Sequence, residues 1–391
     1  MARLISFLAT LATLLFLGVH VAHASSKSWQ SGMKPQDPLP VRRLVLDSRG
    51  HADVDANHND TSARARLQKR VGLIKYNMNG YRKWENHVVR YCFATEESRT
   101  VLQDTLHEAV TIWQNALDSE DWRWELVPGA HPGAACTNHP DRASILVIHL
   151  ANRLSSSVGI PALNQARPDY QGPRMLLTTA ETMGSLNRVA NIAHEVGHVW
   201  GLLHEHQNPW YWARSETHWA PFTIHKPGSF NCENLADYEA GMQRARAAGI
   251  NPPEKICQDQ RDAARAEFTA SDYLPYPLGE HYSQADDEDD IDWDSIMLYP
   301  STGGGRGTAG PPIIHPDNPN PDYWENDHRA EVLLGRQRRG AGFERFGANL
   351  VPSDEDVDTL QLLYGDEWAT FEWAGLINEE EVQEQVQAAM C

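Results

Sequence analysis

The stretch His194-Glu195-Val196-Gly197-His198-Val199-Trp200-Gly201-Leu202-Leu203-His204-Glu205 is the part of the chain around which the rest is expected to fold. Apolar residues before and within it recur with a period near 3.6, which predicts a helix beginning near residue 185 with one face against a core. His194 and His198 are four residues apart, so their imidazoles project from one helix face about one turn apart. Gly201 can take the left-handed conformation that ends a helix, and His204 can then turn back toward the other two histidines.

Three convergent imidazoles predict a catalytic zinc site. Zinc in such sites takes three protein ligands, with nitrogen at roughly 2.0–2.1 Å, and keeps one position open. We therefore expect one Zn²⁺ held by His194, His198 and His204, with Glu195 at the edge of the same helix face as the general base. The alternative is that the histidines are ordinary core or surface residues, which the fixed positions of Gly201 and His204 disfavour. His206 lacks the spacing of a ligand and is left out of the site.

The start of the chain predicts secretion. Arg3 precedes an apolar run over residues 4–22, and Ala22-His23-Ala24 offers the small-x-small pattern of a signal-peptidase site. Residues 1–24 are expected to be a signal peptide, the alternative being an uncleaved membrane anchor. We find no other apolar run long enough to cross a bilayer. The mature protein is therefore expected to be soluble and extracellular.

Composition narrows the possible partners. The 391 residues carry a formal net charge of −19, with 41% hydrophobic and 22% charged residues. These proportions indicate a globular protein with one large or two ordinary domains. The negative charge argues against nucleic acid and against anionic membrane as partners, since both would repel it.

A second processing site is predicted after the signal. Residues 25–70 are polar and end in Lys69-Arg70, a dibasic pair typical of kexin-type cleavage in secreted chains. Residues 25–70 are therefore expected to be a pro-segment, and the chain that still carries it is predicted to be a zymogen. An ordinary solvated basic cluster is the alternative.

Secretion makes disulfides possible, and the five cysteines allow about 15 pairings if one is left out. We favour Cys92–Cys136 and Cys232–Cys257, because each closes a short loop. Cys391 would then be free or would form an intermolecular disulfide.

The remaining patterns predict an α+β fold. Strands are expected over residues 87–93, 144–150 and 173–178, with an amphipathic helix after Thr95 and a final helix capped by Ser353. This order predicts a mixed sheet backed by helices. Residues 212–285 are interpreted as an insertion with helices over 239–248 and 258–268. The acidic run over residues 286–290 is interpreted as a solvated loop rather than a calcium site.

Several of these residues carry a family resemblance. The pattern from His194 to Glu205 resembles the metzincin zinc motif, and a Glu after the third His is characteristic of the astacin-like branch. Residues 292–299 resemble the astacin Met-turn, with Met297 beneath the zinc site. Tyr299 matches the family's tyrosine that ligates zinc in the resting enzyme and stabilises the transition state. Plain core packing is the alternative reading of Met297 and Tyr299.

The resemblance also covers residues 83–91, similar to the early Trp and first strand of astacin domains, and residues 353–365, similar to their terminal helix. It implies a metzincin-like zincin with a twisted mixed sheet, a backing helix, an active-site helix, a zinc cleft and an irregular C-terminal subdomain ending in a helix. The catalytic domain is expected over residues 71–366, followed by a tail over 367–391. There are departures: residues 207–210 replace an Arg/Asp-rich continuation, Leu298 stands where His is usual, and no cysteine follows Tyr364.

The function implied is that of a secreted zinc metalloendopeptidase acting on protein or peptide substrates. The resemblance further implies that cleavage after Arg70 frees a Val71 amine that meets Glu205; the alternative is a Glu205 that orients its local surroundings. An aspartate of the pro-segment (Asp47, Asp53 or Asp55) is expected to occupy the zinc before cleavage. The rival readings are an inactive secreted zinc-binding or interaction protein on the same fold, and a metzincin of another branch that does not use Tyr299.

Overall fold

The computed structural model describes residues 23–26, 82–119, 121–129, 132–161, 172–180, 183–213, 222–223, 229–276, 291–310, 313–315, 318–322, 326–336 and 343–365. Most of the predicted signal and pro-segments, Val71, the acidic run over 286–290 and the tail with Cys391 lie outside these ranges.

Helices and strands alternate in the first half of the chain, and the second half carries mainly helices and short hairpins. The helices are α1 Glu96–Leu117, α2 Ala134–Thr137, α3 Arg188–Trp200, α4 Tyr238–Ala247, α5 Gln260–Arg265 and α6 Asp354–Tyr364. The longer strands are β1 His23–Ser26, β2 Val88–Phe93, β3 Arg123–Leu126, β4 Leu146–Leu150, β5 Leu154–Ser157 and β6 Arg174–Leu177. Short pairs follow: β7 Trp212–Ala213 with β8 Phe222–Thr223, β9 Ile313–His315 with β10 Asn318–Asp322, and β11 Gly335–Arg336 with β12 Phe343–Glu344.

One sheet in the order β1-β5-β6-β4-β2-β3 supports the site. Strands β3, β2, β4 and β6 run parallel, whereas β5 is antiparallel to β6 and β1 is antiparallel to β5. The predicted mixed sheet and the α+β class are confirmed. Strands β3 and β5 were not predicted from the sequence. Strand β1 straddles the predicted signal cleavage after Ala24, and its residues pair with β5 from His23↔Ser157 to Ser26↔Leu154.

The two faces of the sheet bury different residues, as the period of two in a strand requires. Leu146 and Ile148 face the large core that also contains the buried sides of α1 and α3. Val147 belongs to a smaller cluster on the opposite face, together with Cys92 and Cys136. The predicted Cys92–Cys136 disulfide is confirmed there. Helices α1 and α3 therefore cover one face of the sheet, and this disulfide, with the short helix α2 that carries Cys136, lies on the other.

The insertion folds as a helical unit joined to the main core. The predicted Cys232–Cys257 disulfide is confirmed, and it joins the 3₁₀ turn before α4 to the 3₁₀ turn between α4 and α5. Helix α5 is shorter than the predicted 258–268 helix, because Asp259 caps its start and the chain turns after Arg265. Phe268 and Ile256 are buried in the large core. Within the described residues, no helix is both long and apolar enough to span a membrane.

Candidate metal centre

Helix α3 is held in place at both ends. The Asn187 side chain accepts a hydrogen bond from Ala190 N and so caps the first turn. Gly201 ends the helix with a φ of 120°, a region that a side chain would strain. The last carbonyl groups of a helix need outside donors: Val199 O accepts from Trp84 Nε1 at 2.8 Å and Trp200 O accepts from Tyr364 Oη at 2.9 Å.

The three predicted ligands, two on α3 and one just after it, lie close together. His194, His198 and His204 each offer a nitrogen, and these atoms all lie within 4.8 Å of one another. All three residues are at most 2% exposed. His198 Nε2 and His204 Nε2 are 3.0 Å apart. Two imidazole nitrogens bound to one tetrahedral zinc would be separated by about 3.3 Å, so the spacing fits a shared zinc ion.

Each imidazole is oriented through its other nitrogen. His194 Nδ1 donates to Ile296 O at 2.7 Å, His198 Nδ1 to Leu202 O at 2.8 Å, and His204 Nδ1 to Gln207 Oε1 at 2.7 Å. An Nδ1–H that donates to an oxygen leaves Nε2 with a lone pair, which is the form that binds a metal. The close pair of Nε2 atoms is therefore not a hydrogen bond between neutral rings.

Burial keeps these rings neutral. Desolvation lowers the pKa of His194 to about 4, against a smaller opposing effect of its hydrogen bond to Ile296 O. Desolvation, with the neighbouring histidines adding to it, holds the pKa values of His198 and His204 well below the usual range. Neutral, buried imidazoles with aligned lone pairs are the donor set that zinc and related divalent metals prefer.

Glu195 lies beside the histidines and is 1% exposed. Its Oε2 oxygen makes no hydrogen bond within the described part of the chain. Desolvation raises its pKa to about 8; the nearby Ser156 hydroxyl on β5 lowers it by less, and the Asp272 carboxylate raises it slightly. A buried carboxyl group with a free oxygen and a pKa near neutrality is suited to proton transfer.

The segment predicted to be a Met-turn lies directly under α3. A Cβ atom on Gly197 would meet Met297 Sδ at 2.6 Å, so the methionine packs against the helix between the ligands. The same turn supplies Ile296 O to His194. Asp356, in the first turn of α6, accepts from Ile296 N at 2.9 Å and from Ser295 Oγ at 2.7 Å. The terminal helix therefore fixes the turn that orients the first ligand.

Tyr299 is fully buried, and its ring contacts two of the ligands. The ring centroids are 4.4 Å from His204 and 5.5 Å from His194. His206, which was left out of the predicted site, lies at 4.7 Å from Tyr299 and stacks on His204 at 5.2 Å. The structure thus brings Tyr299 to the histidine cluster, and it adds His206 as an aromatic neighbour.

Glu205 lies in a buried acidic cluster with Asp292 and Asp356. Its Oε1 accepts from Asp292 N at 3.1 Å, and it also interacts with the Tyr211 side chain. Desolvation first, and the Asp292 charge next, raise the pKa of Glu205 well above its usual range. Asp356 is close enough to add to this effect, and its own pKa is raised to about 7 by burial and by the Asp292 charge. Glu205 orients local groups within the described residues, and its predicted partner Val71 lies outside them.

Solved structures with a similar fold include two zinc-protease-type matches of low TM-score. One is to high choriolytic enzyme 1, a hatching enzyme zinc-protease from the medaka fish Oryzias latipes, with 11% identity, a TM-score of 0.36 and coverage of 73% of this chain and 93% of that one. The other is to myroilysin, with 14% identity, a TM-score of 0.32 and coverage of 72% and 95%. No protein-family model and no curated protein sequence matches the chain. Because both TM-scores are low, we base no functional statement on either likeness.

Proposed function

We propose that this chain is a zinc-dependent endopeptidase. The observation that carries the proposal is the set of three buried imidazoles that converge through Nε2 while each Nδ1 donates to a protein oxygen. Structural zinc sites are usually closed by a fourth protein ligand. Here the three histidines are the metal-binding group found in the described residues, and a free carboxylate oxygen of Glu195 lies beside them. An open three-histidine site with an adjacent carboxyl group supports hydrolysis better than a purely structural role.

In the proposed peptide hydrolysis, Glu195 and Tyr299 have separate roles beside the metal. A bound zinc ion would polarise the scissile carbonyl and lower the pKa of the attacking water. Glu195 takes a proton from the attacking water and delivers it to the leaving amine, a role that its buried position beside the histidines and the unbonded Oε2 support. The tyrosine hydroxyl of Tyr299 hydrogen-bonds the oxyanion that develops on the substrate. The position of the Tyr299 ring against His204 and His194 supports this last role.

Secretion and activation by processing are part of the proposal. Two disulfides in the described residues support an oxidising compartment. The predicted signal cleavage after Ala24 and the predicted processing after Arg70 would leave Ser25 and then Val71 as the first residue. The buried acidic cluster around Glu205 supports binding of a new amine there, because burial and the Asp292 charge disfavour the ionised form of Glu205 and an ammonium group would stabilise it. N-terminal sequencing of the secreted protein tests both sites: Val71 is expected, and a terminus elsewhere would contradict the processing.

The function itself is tested by peptide hydrolysis with and without chelator. Purified protein that has been processed after Arg70 is expected to cleave casein and internally quenched peptides, to lose this activity with a zinc chelator and to regain it with zinc. Glu195→Gln is expected to lower kcat by about a hundredfold or more while zinc remains bound, because general-base catalysis contributes on that scale. Glu97→Gln, at an exposed glutamate on α1, is the matched control and should behave as wild type.

The outcomes separate the rival readings. Zinc binding without hydrolysis of any peptide in a broad library would favour the inactive zinc-binding protein. Hydrolysis that is unaffected by chelation, or that Glu195→Gln retains, would overturn the mechanism.

A further inference from the structure

The partner of the third histidine is an unusual one, a glutamine that belongs to the same turn. Gln207 is 2% exposed, and its Oε1 accepts from His204 Nδ1 at 2.7 Å. Its Nε2 donates to Ser271 O at 2.9 Å and to Leu274 O at 3.0 Å. Backbone carbonyl groups only accept hydrogen bonds, so the amide has one possible orientation: NH₂ toward the carbonyls and oxygen toward His204. This orientation in turn requires the proton of His204 to lie on Nδ1.

Both carbonyl groups belong to the end of the insertion, more than sixty residues along the chain from Gln207. The same segment is joined to the turn twice more. Tyr276 N donates to Gln207 O at 3.1 Å, and His206 Nε2 donates to Asp272 O at 2.9 Å. The fold of the segment from Thr269 to Tyr276 therefore decides where the Gln207 amide lies.

That segment is fixed by the rest of the insertion. It follows α5 and the fully buried Phe268. The 3₁₀ turn before α5, Pro253–Cys257, is bonded to the start of the insertion by the Cys232–Cys257 disulfide. A continuous set of contacts thus leads from the disulfide through the helices of the insertion to the Gln207 amide and to His204.

We infer that Gln207 is a positioning residue for the metal centre, and that it makes zinc affinity depend on the disulfide-linked insertion. The inference rests on the proposed zinc site. Its chemistry is the usual one for metal-bound histidines: an acceptor on the far nitrogen fixes the tautomer and the ring orientation and raises the basicity of the ligand. What is particular to this chain is that the acceptor is a neutral amide whose orientation is fixed by backbone of the insertion.

The first test compares two substitutions by zinc affinity, measured by competition with a chromogenic chelator. Gln207→Leu removes the acceptor and both donors, and it should weaken zinc binding by about ten- to a hundredfold. Gln207→Glu keeps an acceptor for His204 but loses the donors to Ser271 O and Leu274 O. Gln207→Glu should therefore bind zinc at least about tenfold more tightly than Gln207→Leu does. Its melting temperature should be no higher than that of Gln207→Leu. A zinc affinity that simply follows the melting temperature across the three proteins would overturn the positioning role.

The second test uses the two disulfides as a matched pair. The double variant Cys232→Ala/Cys257→Ala should weaken zinc binding at least about threefold when Gln207 is present. In the Gln207→Leu background it should have no further effect, because substitutions within one network of contacts are not additive. Cys92→Ala with Cys136→Ala, on the opposite face of the sheet, should leave zinc affinity unchanged. Equal effects of the Cys232–Cys257 removal in both backgrounds, or none, would overturn the coupling. If the Gln207→Leu chain does not fold, the same cycle is run with Gln207→Glu, which lacks the donors to Ser271 O and Leu274 O and should likewise show no further effect of removing the disulfide.

Failure of the zinc site itself gives a different result. Wild-type protein that binds no zinc would overturn the proposed function, whereas wild-type binding that none of the variants changes would overturn the present inference alone.

Discussion

Removing the carboxylate of Asp327 should destabilise the protein strongly, because it leaves a buried guanidinium without its counter-ion. Arg329 Nε and Nη2 donate to Asp327 at 2.9 Å and 3.0 Å, and their side chains are 6% and 0% exposed. The same carboxylate accepts from the Thr302 hydroxyl, and Arg329 Nη2 also donates to Gly184 O at 2.9 Å. The pair therefore joins the loop before α3 to the segment that follows Tyr299.

The expected loss in the free energy of unfolding follows from the burial of the Asp327–Arg329 pair. Breaking one partner of a buried ion pair costs about 3–5 kcal/mol, because the remaining charge stays desolvated. Removing both charges in Asp327→Ala/Arg329→Met avoids that penalty, but the buried Thr302 hydroxyl and Gly184 O then lose partners at about 1–3 kcal/mol each. The two ranges overlap, so the double variant should be about as stable as Asp327→Ala, even though it carries one more substitution.

Equilibrium urea unfolding of the zinc-free protein, followed by tryptophan fluorescence, measures these differences. Asp141→Ala is the control, because Asp141 pairs with Arg90 at 3.4 Å on the surface and an exposed pair contributes at most about 1 kcal/mol. A loss below about 1 kcal/mol for Asp327→Ala, or a double variant much less stable than the single one, would refute the reasoning from burial.

Three further predictions concern the site. Tyr299→Phe should lower kcat by about a hundredfold or more, as loss of an oxyanion donor does; steady-state kinetics of the zinc-loaded variant with normal kcat would exclude the role. Gly197→Ala should destabilise by about 1–3 kcal/mol despite the better helix propensity of alanine, since the new Cβ would meet Met297 Sδ at 2.6 Å and Trp113 Cζ2 at 3.0 Å; thermal unfolding at an unchanged or higher temperature would contradict it. In zinc-free native protein the His194 imidazole should stay uncharged until the pH falls to about 4, because burial lowers its pKa to that value, whereas the unfolded chain protonates this residue near pH 6.5. By linkage, His194 lowers the stability as the pH falls through this window, while Glu195, whose pKa is raised to about 8, acts in the opposite direction. Histidine protonation followed by NMR measures the residue itself, and a His194 ring that titrates near 6.5 would be inconsistent with a buried neutral imidazole.

The parts of the fold that follow from local pattern could be predicted from the sequence. The apolar period of α3, the chain reversal at Gly201 and the capping of α6 by Ser353 all depend on residues within a few positions, although α3 begins at Arg188, after the Asn187 cap, rather than near residue 185. The convergence of His194, His198 and His204 follows from helix geometry and one glycine. Both disulfides were predicted from loop length alone.

The parts of the fold and of the site that depend on distant contacts could not be predicted from the sequence. Strand β5 reads Leu-Ser-Ser-Ser and gains its place from pairing with β6 and from its contact with α3, so no hydrophobic alternation marks it. Strand β3 is a largely exposed edge strand, which leaves no burial pattern in its sequence. The sequence did not mark Gln207 and His206 as residues of the site. Their partners Ser271 O and Asp272 O lie in the insertion, and no local spacing connects them.

The central claim is that three imidazoles of this chain hold one catalytic zinc ion, and X-ray absorption at the zinc edge tests it most directly. Protein purified with one equivalent of zinc should show three nitrogen neighbours of imidazole type at about 2.0–2.1 Å, together with oxygen and no sulfur. The variant His198→Ala should lose this signature. Folded wild-type protein that binds no zinc, or a spectrum dominated by sulfur, would contradict the claim.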